Sequence, residues 1–189
     1  MKNVIRIGSG AAWWGDRVEP AALNAEKGEL DYLCFETMAE ATVSAAQVRA
    51  RRDPSFPGYD TYLDDRMRAV LPACMARGTK IISNQGWINP DAAAQRIVHW
   101  LQHFGYKGVK VASVNGSLIT DKVLSMTDKI LENGLPTSSL SPNLISAEVY
   151  LGAEPIALAL KEGAQIVVTG RVADPSIFMA PMMHEFGWD

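Results

Sequence analysis

Cysteine, basic charge and long apolar runs are all scarce in this sequence, and each shortage closes off a class of protein. Its 189 residues hold two cysteines, Cys34 and Cys74, too few for a disulfide framework. Both sit in apolar surroundings, which predicts buried thiols in a reducing cytosol. Lysine and arginine number 18 against 21 aspartates and glutamates, a net charge of -3. The basic excess that marks a nucleic-acid partner is therefore missing. No apolar run approaches the ~18 residues of a membrane span. Lys2 followed by a strand-like segment lacks the regions of a signal peptide. There is no G-x-S-x-G elbow, no P-loop and no paired-cysteine zinc motif. The expectation is a soluble, cytoplasmic protein with neither nucleic acid nor membrane as partner.

What is present is an ordinary globular composition, 48% apolar and 21% charged, in a chain long enough for one α/β domain over 1–189. A strand-turn-helix unit recurs along it. Val4 to Ile7 is an apolar run that breaks at Gly8, Ser9 and Gly10. Tyr32 to Phe35 stops at Glu36, Lys80 to Ser83 at Asn84-Gln85-Gly86, Val109 to Val114 at Asn115-Gly116, and Gln165 to Thr169 at Gly170-Arg171. Continuous β-branched runs read as buried parallel strands. Helix patterns lie between them over Glu19–Lys27, Glu40–Arg52, Tyr62–Arg77, Pro90–Phe104, Asp121–Glu132 and Ala147–Glu162, and from about Pro175. Pro72 warns of a kink or an early end in the third of these. Asp53 to Asp60 reads as a surface connection, with a substrate lid as its alternative. The fold class is α/β, a doubly wound and mostly parallel sheet of at least five strands with helices on both faces.

Open α/β sheets bind ligands beyond the carboxyl ends of their strands, so the residues there are the candidates for chemistry. Gly8, Ser9, Gly10 and Gly170 could form a backbone cradle for an anion. The dinucleotide fingerprint needs a third glycine where this sequence has Trp13. Arg17 and Arg171 are natural forks for a carboxylate or phosphate, and Asp16 and Asp174 could act as acid or base. With the first strand central in the sheet, the four would converge on one crevice; otherwise each pair braces its own turn. Asn84 and Asn115 could donate to a substrate carbonyl or simply shape turns. His99 and His103 have the i, i+4 spacing of a metal pair but no third ligand nearby, so no metal is expected. His184, before Glu185, reads as a capping or packing residue, with acid–base work as its alternative.

With those residues set out, the chain resembles the N-terminal region of the acyclic terpene utilisation (AtuA-type) family. The resemblance rests on I-G-S-G-A-A-W-W-G-D-R (7–17), L-D-Y-L-C-F-E (30–36), I-I-S-N-Q-G-W-I-N-P (81–90) and A-E-V-Y-L-G-A (147–153). Its most specific blocks are I-V-V-T-G-R-V-A-D (166–174) and H-E-F-G-W (184–188). The turn Glu36-Thr37-Met38-Ala39-Glu40 departs from the family's usual sequence. The resemblance implies a bacterial role in breaking down acyclic terpenes or related branched acids, as free acids or CoA thioesters. It implies no cofactor beyond CoA carried by the substrate, and assigns no reaction. Family members run well beyond this length, so the chain corresponds to the N-terminal portion of a longer protein, with a homo-oligomer or a C-terminal half as possible partners.

Three functions follow as expectations. The first is a catabolic enzyme, or enzyme subunit, acting on a branched carboxylate or acyl-CoA. The second is a non-catalytic structural or interaction subunit of a catabolic complex, favoured if Ile177, Phe178, Met179, Met182 and Met183 form a broad exposed face. The third is a nicotinamide-dependent oxidoreductase, tenable if Trp13 lies outside the helix start.

Overall fold

Tyr32–Phe35 is buried at all four positions, and its alternation assigns two cores. Leu33 and Phe35 join one cluster, Tyr32 and Cys34 the other, as the period of two in a strand requires. The computed structural model describes residues 3–141 and 143–188. Among these lie five strands: β1 (Ile7–Ala11), β2 (Tyr32–Phe35), β3 (Lys80–Ser83), β4 (Val111–Val114) and β5 (Ile166–Thr169). They form one sheet in the order β1-β2-β3-β5-β4, and every pairing is parallel. The helices are α1 (Glu19–Lys27), α2 (Glu40–Arg52), α3 (Leu63–Arg77), α4 (Pro90–His103), α5 (Thr120–Ser125), α6 (Glu154–Lys161) and α7 (Ser176–Phe186). The α/β, doubly wound reading therefore holds.

One face is covered by α1, α3 and α4, through Ala21, Ala25, Met67, Val70, Leu71, Cys74, Ile97 and Leu101. The other is covered by α6 and α7, through Ile156, Leu160, Ile177 and Ala180. Neighbouring strands β3 and β5 thus send their following helices, α4 and α7, to opposite faces. That divergence is the topological switch point of the sheet. A third cluster (Met38, Val43, Ala46, Phe56, Trp87) sits over the carboxyl edge with α2 and Trp14.

Four expectations change. First, β1 is an edge strand and not central, because it pairs with β2 alone and every later strand adds beyond β2. Second, β1 begins at Ile7 and runs through Gly8, Ser9 and Gly10, so Ile5 precedes it. The two glycines are packing positions: a methyl group on Gly8 would run into Leu30, and one on Gly10 into the Phe35 ring. Third, the helix expected over 121–132 stops at Ser125. Thr137 folds back, its hydroxyl donating to the Met126 carbonyl at 3.0 Å and its N–H to that of Asp128. Fourth, α6 starts only at Glu154, with Pro155 in its first turn. The preceding segment stays extended so that Leu151 can pair with Val172. Pro72, by contrast, does not end α3, which continues to Arg77 with Leu71 and Cys74 buried on either side of it. Pro142 and the terminal Asp189 lie outside the described residues.

Both cysteines are buried. Burial pushes the Cys74 thiol up to about 12 and that of Cys34 further still. Neither forms thiolate near neutrality, so at pH 8 iodoacetamide is expected to label neither until denaturant is added. Labelling of either in the native state, followed by mass spectrometry, would contradict the burial. Among the described residues no helix is long and apolar enough to cross a membrane.

Candidate functional site

The turn after β1 is built by its own aspartate. Asp16 Oδ2 accepts from the N–H groups of Ala12 and Trp13, at 2.8 and 3.0 Å. This bracing holds Trp13 and Trp14 out from the strand end. Arg17 follows, exposed, and lines a hollow of about 430 Å³ formed by the β1 end and its own turn. Trp13 does lie outside α1, but the glycines stand inside β1. The turn into the helix carries Trp13, Trp14 and a single glycine, Gly15, and not the three-glycine turn of a dinucleotide site.

The second pair is local as well. Arg171 is 2% exposed, and its donors go to the carbonyls of Val172 and Met38 and to the carboxylate of Asp174. Its guanidinium also stacks 4.4 Å from the Tyr150 ring centroid. Arg171 thus straps the β5 end to the turn after β2, across the top of β3. β1 and β5 are three strand spacings apart, about 14 Å, with β2 and β3 between them. The strand order does not bring Asp16 and Arg17 together with Arg171 and Asp174.

Protein also fills the switch point. Asn84 is fully buried, accepting from Thr37 N–H at 2.7 Å and donating to Glu36 at 2.8 Å. Gly86 packs directly on the Thr169 carbonyl, and Gly170 donates its N–H to Val114. Asn115 donates to Asp91 at 2.8 Å, beside the Ser113 hydroxyl. These residues hold turns against one another. Among the described residues no group of three or more His, Cys, Asp or Glu could hold a metal ion.

A cavity lies instead beside this plug, under α2. It has a volume of about 380 Å³ and is walled by Trp13 and Trp14 from the β1 turn, by Phe56 and Thr61, by Trp87 after β3, and by Ala41, Thr42, Ala45, Ala46 and Arg49 of α2. Ligand pockets run from about 300 to 1,000 Å³ and are mostly apolar with a few convergent polar groups. The alanines of α2 leave the room. The Trp14 ring centroid stands 6.2 Å from that of Trp13 and 6.5 Å from that of Trp87. Arg49 stacks over Phe56 at 4.3 Å and pairs with Asp53 at 3.6 Å. The Ser55 hydroxyl and N–H hold the Asp53 carboxyl below its ordinary range, so that partner stays charged. The side chain of Arg49 is half exposed, which leaves part of its fork available.

The segment Asp53 to Asp60 gives Phe56 to the wall of this slot and is tied down on both sides. Phe56 is buried, Asp60 N–H donates to the Gln85 carbonyl, and Gly58 accepts from Ile88 N–H. Beneath it lies a fully buried ion pair, Arg66 to Asp60 at 2.6 Å. Arg66 donates further to the carbonyls of Trp14 (2.7 Å) and Asp16 (3.2 Å), and Asp60 accepts from Gln85 at 2.9 Å. The pair therefore ties three segments together, Arg66 holding the β1 turn and Asp60 joining this loop to the turn after β3.

No curated protein matches the chain. Residues 5–189 match the model of a family described as acyclic terpene utilisation family protein AtuA. The match takes in the turn that carries Trp13 and Trp14, the Gln85–Trp87 turn and the Arg171 strap, and on its extent the chain belongs to the AtuA family of acyclic terpene utilisation proteins.

Proposed function

We propose that the tryptophan slot binds the branched apolar chain of an acyclic terpenoid acid, as the free carboxylate or its CoA thioester, in a cytoplasmic catabolic enzyme or enzyme subunit. The observation that carries this reading is an aromatic cavity of about 380 Å³ with a half-exposed arginine in its wall. Tryptophan and alanine surfaces suit a methyl-branched hydrocarbon, and a guanidinium suits the acid at its end. The family supplies the substrate class, and the slot offers it a matching shape and charge. No cofactor beyond CoA on the substrate enters this reading, and the reaction stays unassigned.

The rival, a subunit without chemistry, rested on a broad apolar face along α7. Ile177 is buried, Phe178, Met182 and Met183 are partly covered, and of those five Met179 alone is exposed. That is too little to favour the rival.

Three of the five tryptophans line the slot, so binding is read directly from intrinsic fluorescence. Titration with a methyl-branched ten-carbon carboxylate should give a saturable change. Arg49→Met should weaken that binding by about tenfold, the low end for a charge-assisted bond, because Asp53 already competes for the guanidinium. An unsaturable response, or a variant with unchanged affinity, would remove the slot from consideration.

A further inference from the structure

Trp87 is the anomaly of the slot. Its backbone φ is +42°, a region where a bulky side chain is strained. The surroundings impose it. Trp87 N–H is held by the Asn84 carbonyl, its neighbour Ile88 by Gly58, and the Gly170 turn closes on the Trp87 carbonyl. The residue is 7% exposed, and its indole N–H is buried with no hydrogen-bond partner among the described residues. Other indoles of the chain find acceptors: Trp14 donates to the Thr61 hydroxyl at 3.3 Å and Trp100 to Asp64 at 2.8 Å. A buried orphan donor costs stability, and strain of this kind gathers at ligand clamps. Here both fall on one residue, which is also a wall of the aromatic cavity.

We infer that the Trp87 indole N–H is the donor to the acyl oxygen of the ligand, and so the residue by which the slot tells an acid or its ester from a plain hydrocarbon. The inference rests on the slot being the binding site. Arg49 and Trp87 line the same cavity, and a carboxylate has two oxygens, one for each. A thioester carbonyl has a single oxygen, which the indole can take without the arginine. Trp14 and Trp87, tilted 57° to each other, must part or turn as the ligand enters, because the indole nitrogen is closed off from solvent.

The test compares two probes of the same branched skeleton, the ten-carbon carboxylate and the hydrocarbon without oxygen, against wild type and Trp87→Phe. Phenylalanine keeps an aromatic wall and removes the N–H. Carboxylate affinity should fall about tenfold, while hydrocarbon affinity changes much less. Trp14→Phe, whose N–H is already partnered within the protein, should leave the ratio of the two affinities unaltered. In wild-type protein labelled with nitrogen-15, the Trp87 indole proton should move downfield with the carboxylate and stay with the hydrocarbon, a readout that does not depend on any variant folding. If Trp87→Phe weakens both probes equally, or the indole proton does not respond to the carboxylate, the inference is overturned while the slot stands as a site. A wild-type protein that binds neither probe overturns both.

Discussion

Arg66→Met is expected to destabilise the protein by about 3–5 kcal/mol, the cost of leaving a buried charge without its partner. Asp60 and Arg66 have side chains with no solvent exposure, and Arg66 is the cation at 2.6 Å from that carboxylate. Burial raises the Asp60 carboxyl above its ordinary value, and Arg66, Tyr62 N–H and Gln85 only partly offset it. With methionine at 66 the offset from the cation is lost and the carboxyl rises further. A carboxyl whose folded value is raised binds its proton more tightly in the native state. The deficit is therefore greatest above the folded value and shrinks as pH falls toward the unfolded value of 3.8.

Urea unfolding at pH 8 and pH 5 is the measurement. The variant should recover part of its loss at the lower pH. Arg66→Met combined with Asp60→Asn should be less damaged than Arg66→Met alone, since removing both charges spares the uncompensated one. Because Arg66 also holds the Trp14 and Asp16 carbonyls, the single variant should lose ligand binding at temperatures where it remains folded. A cost below about 1 kcal/mol, equal at both pH values, would show that the pair contributes little.

The same region shows how far the sequence could be read. β2 and β3, α1 and α2 sit where their apolar runs and stop signals place them, because each pattern is local: Pro20 and Gly28 frame α1, and Glu40 and the terminal arginines frame α2. Strand order is not local, and the edge position of β1, with β2 and β3 between it and β5, separates two Arg–Asp pairs that look equivalent in one dimension. Gly8 and Gly10 carry the composition of a phosphate turn. Their actual reason, room for Leu30 and Phe35, depends on neighbours that the pattern does not name. The slot left a faint signal. Trp13, Trp14, Phe56 and Trp87 are large apolar residues in turns, with no helix or strand face to bury them, so they must pack on one another or on a ligand. Trp13, read as an obstacle to one kind of site, is part of the wall of another. Arg49, in the basic last turn of α2, is also its cation.

Gly86→Ala is expected to cost about 1–3 kcal/mol or more, through overpacking alone. A methyl group there would lie 2.5 Å from the Thr169 carbonyl oxygen and 2.7 Å from Pro90 Cα. Those atoms belong to the backbone of β5's last residue and to the first residue of α4, so no side chain can swing aside. The contact sits at the switch point, where β3 and β5 send their helices to opposite faces, and a shift there also moves Trp87. Gly78, the C-cap of α3, is the control. Its φ is +72° with nothing within 4 Å of a methyl group, so alanine there meets only backbone strain, about 1–2 kcal/mol. The two sites should answer differently to a larger residue. Gly78→Asn should be milder than Gly78→Ala, because asparagine tolerates the left-handed region. Gly86→Asn should be worse than Gly86→Ala, because size is what that site rejects. At this chain length each kcal/mol lowers the melting temperature by about 2–4 °C, so calorimetry resolves the series. If Gly86→Asn proves no worse than Gly86→Ala, the backbone around the switch point can yield, and the plug over the carboxyl edge is softer than its contacts imply.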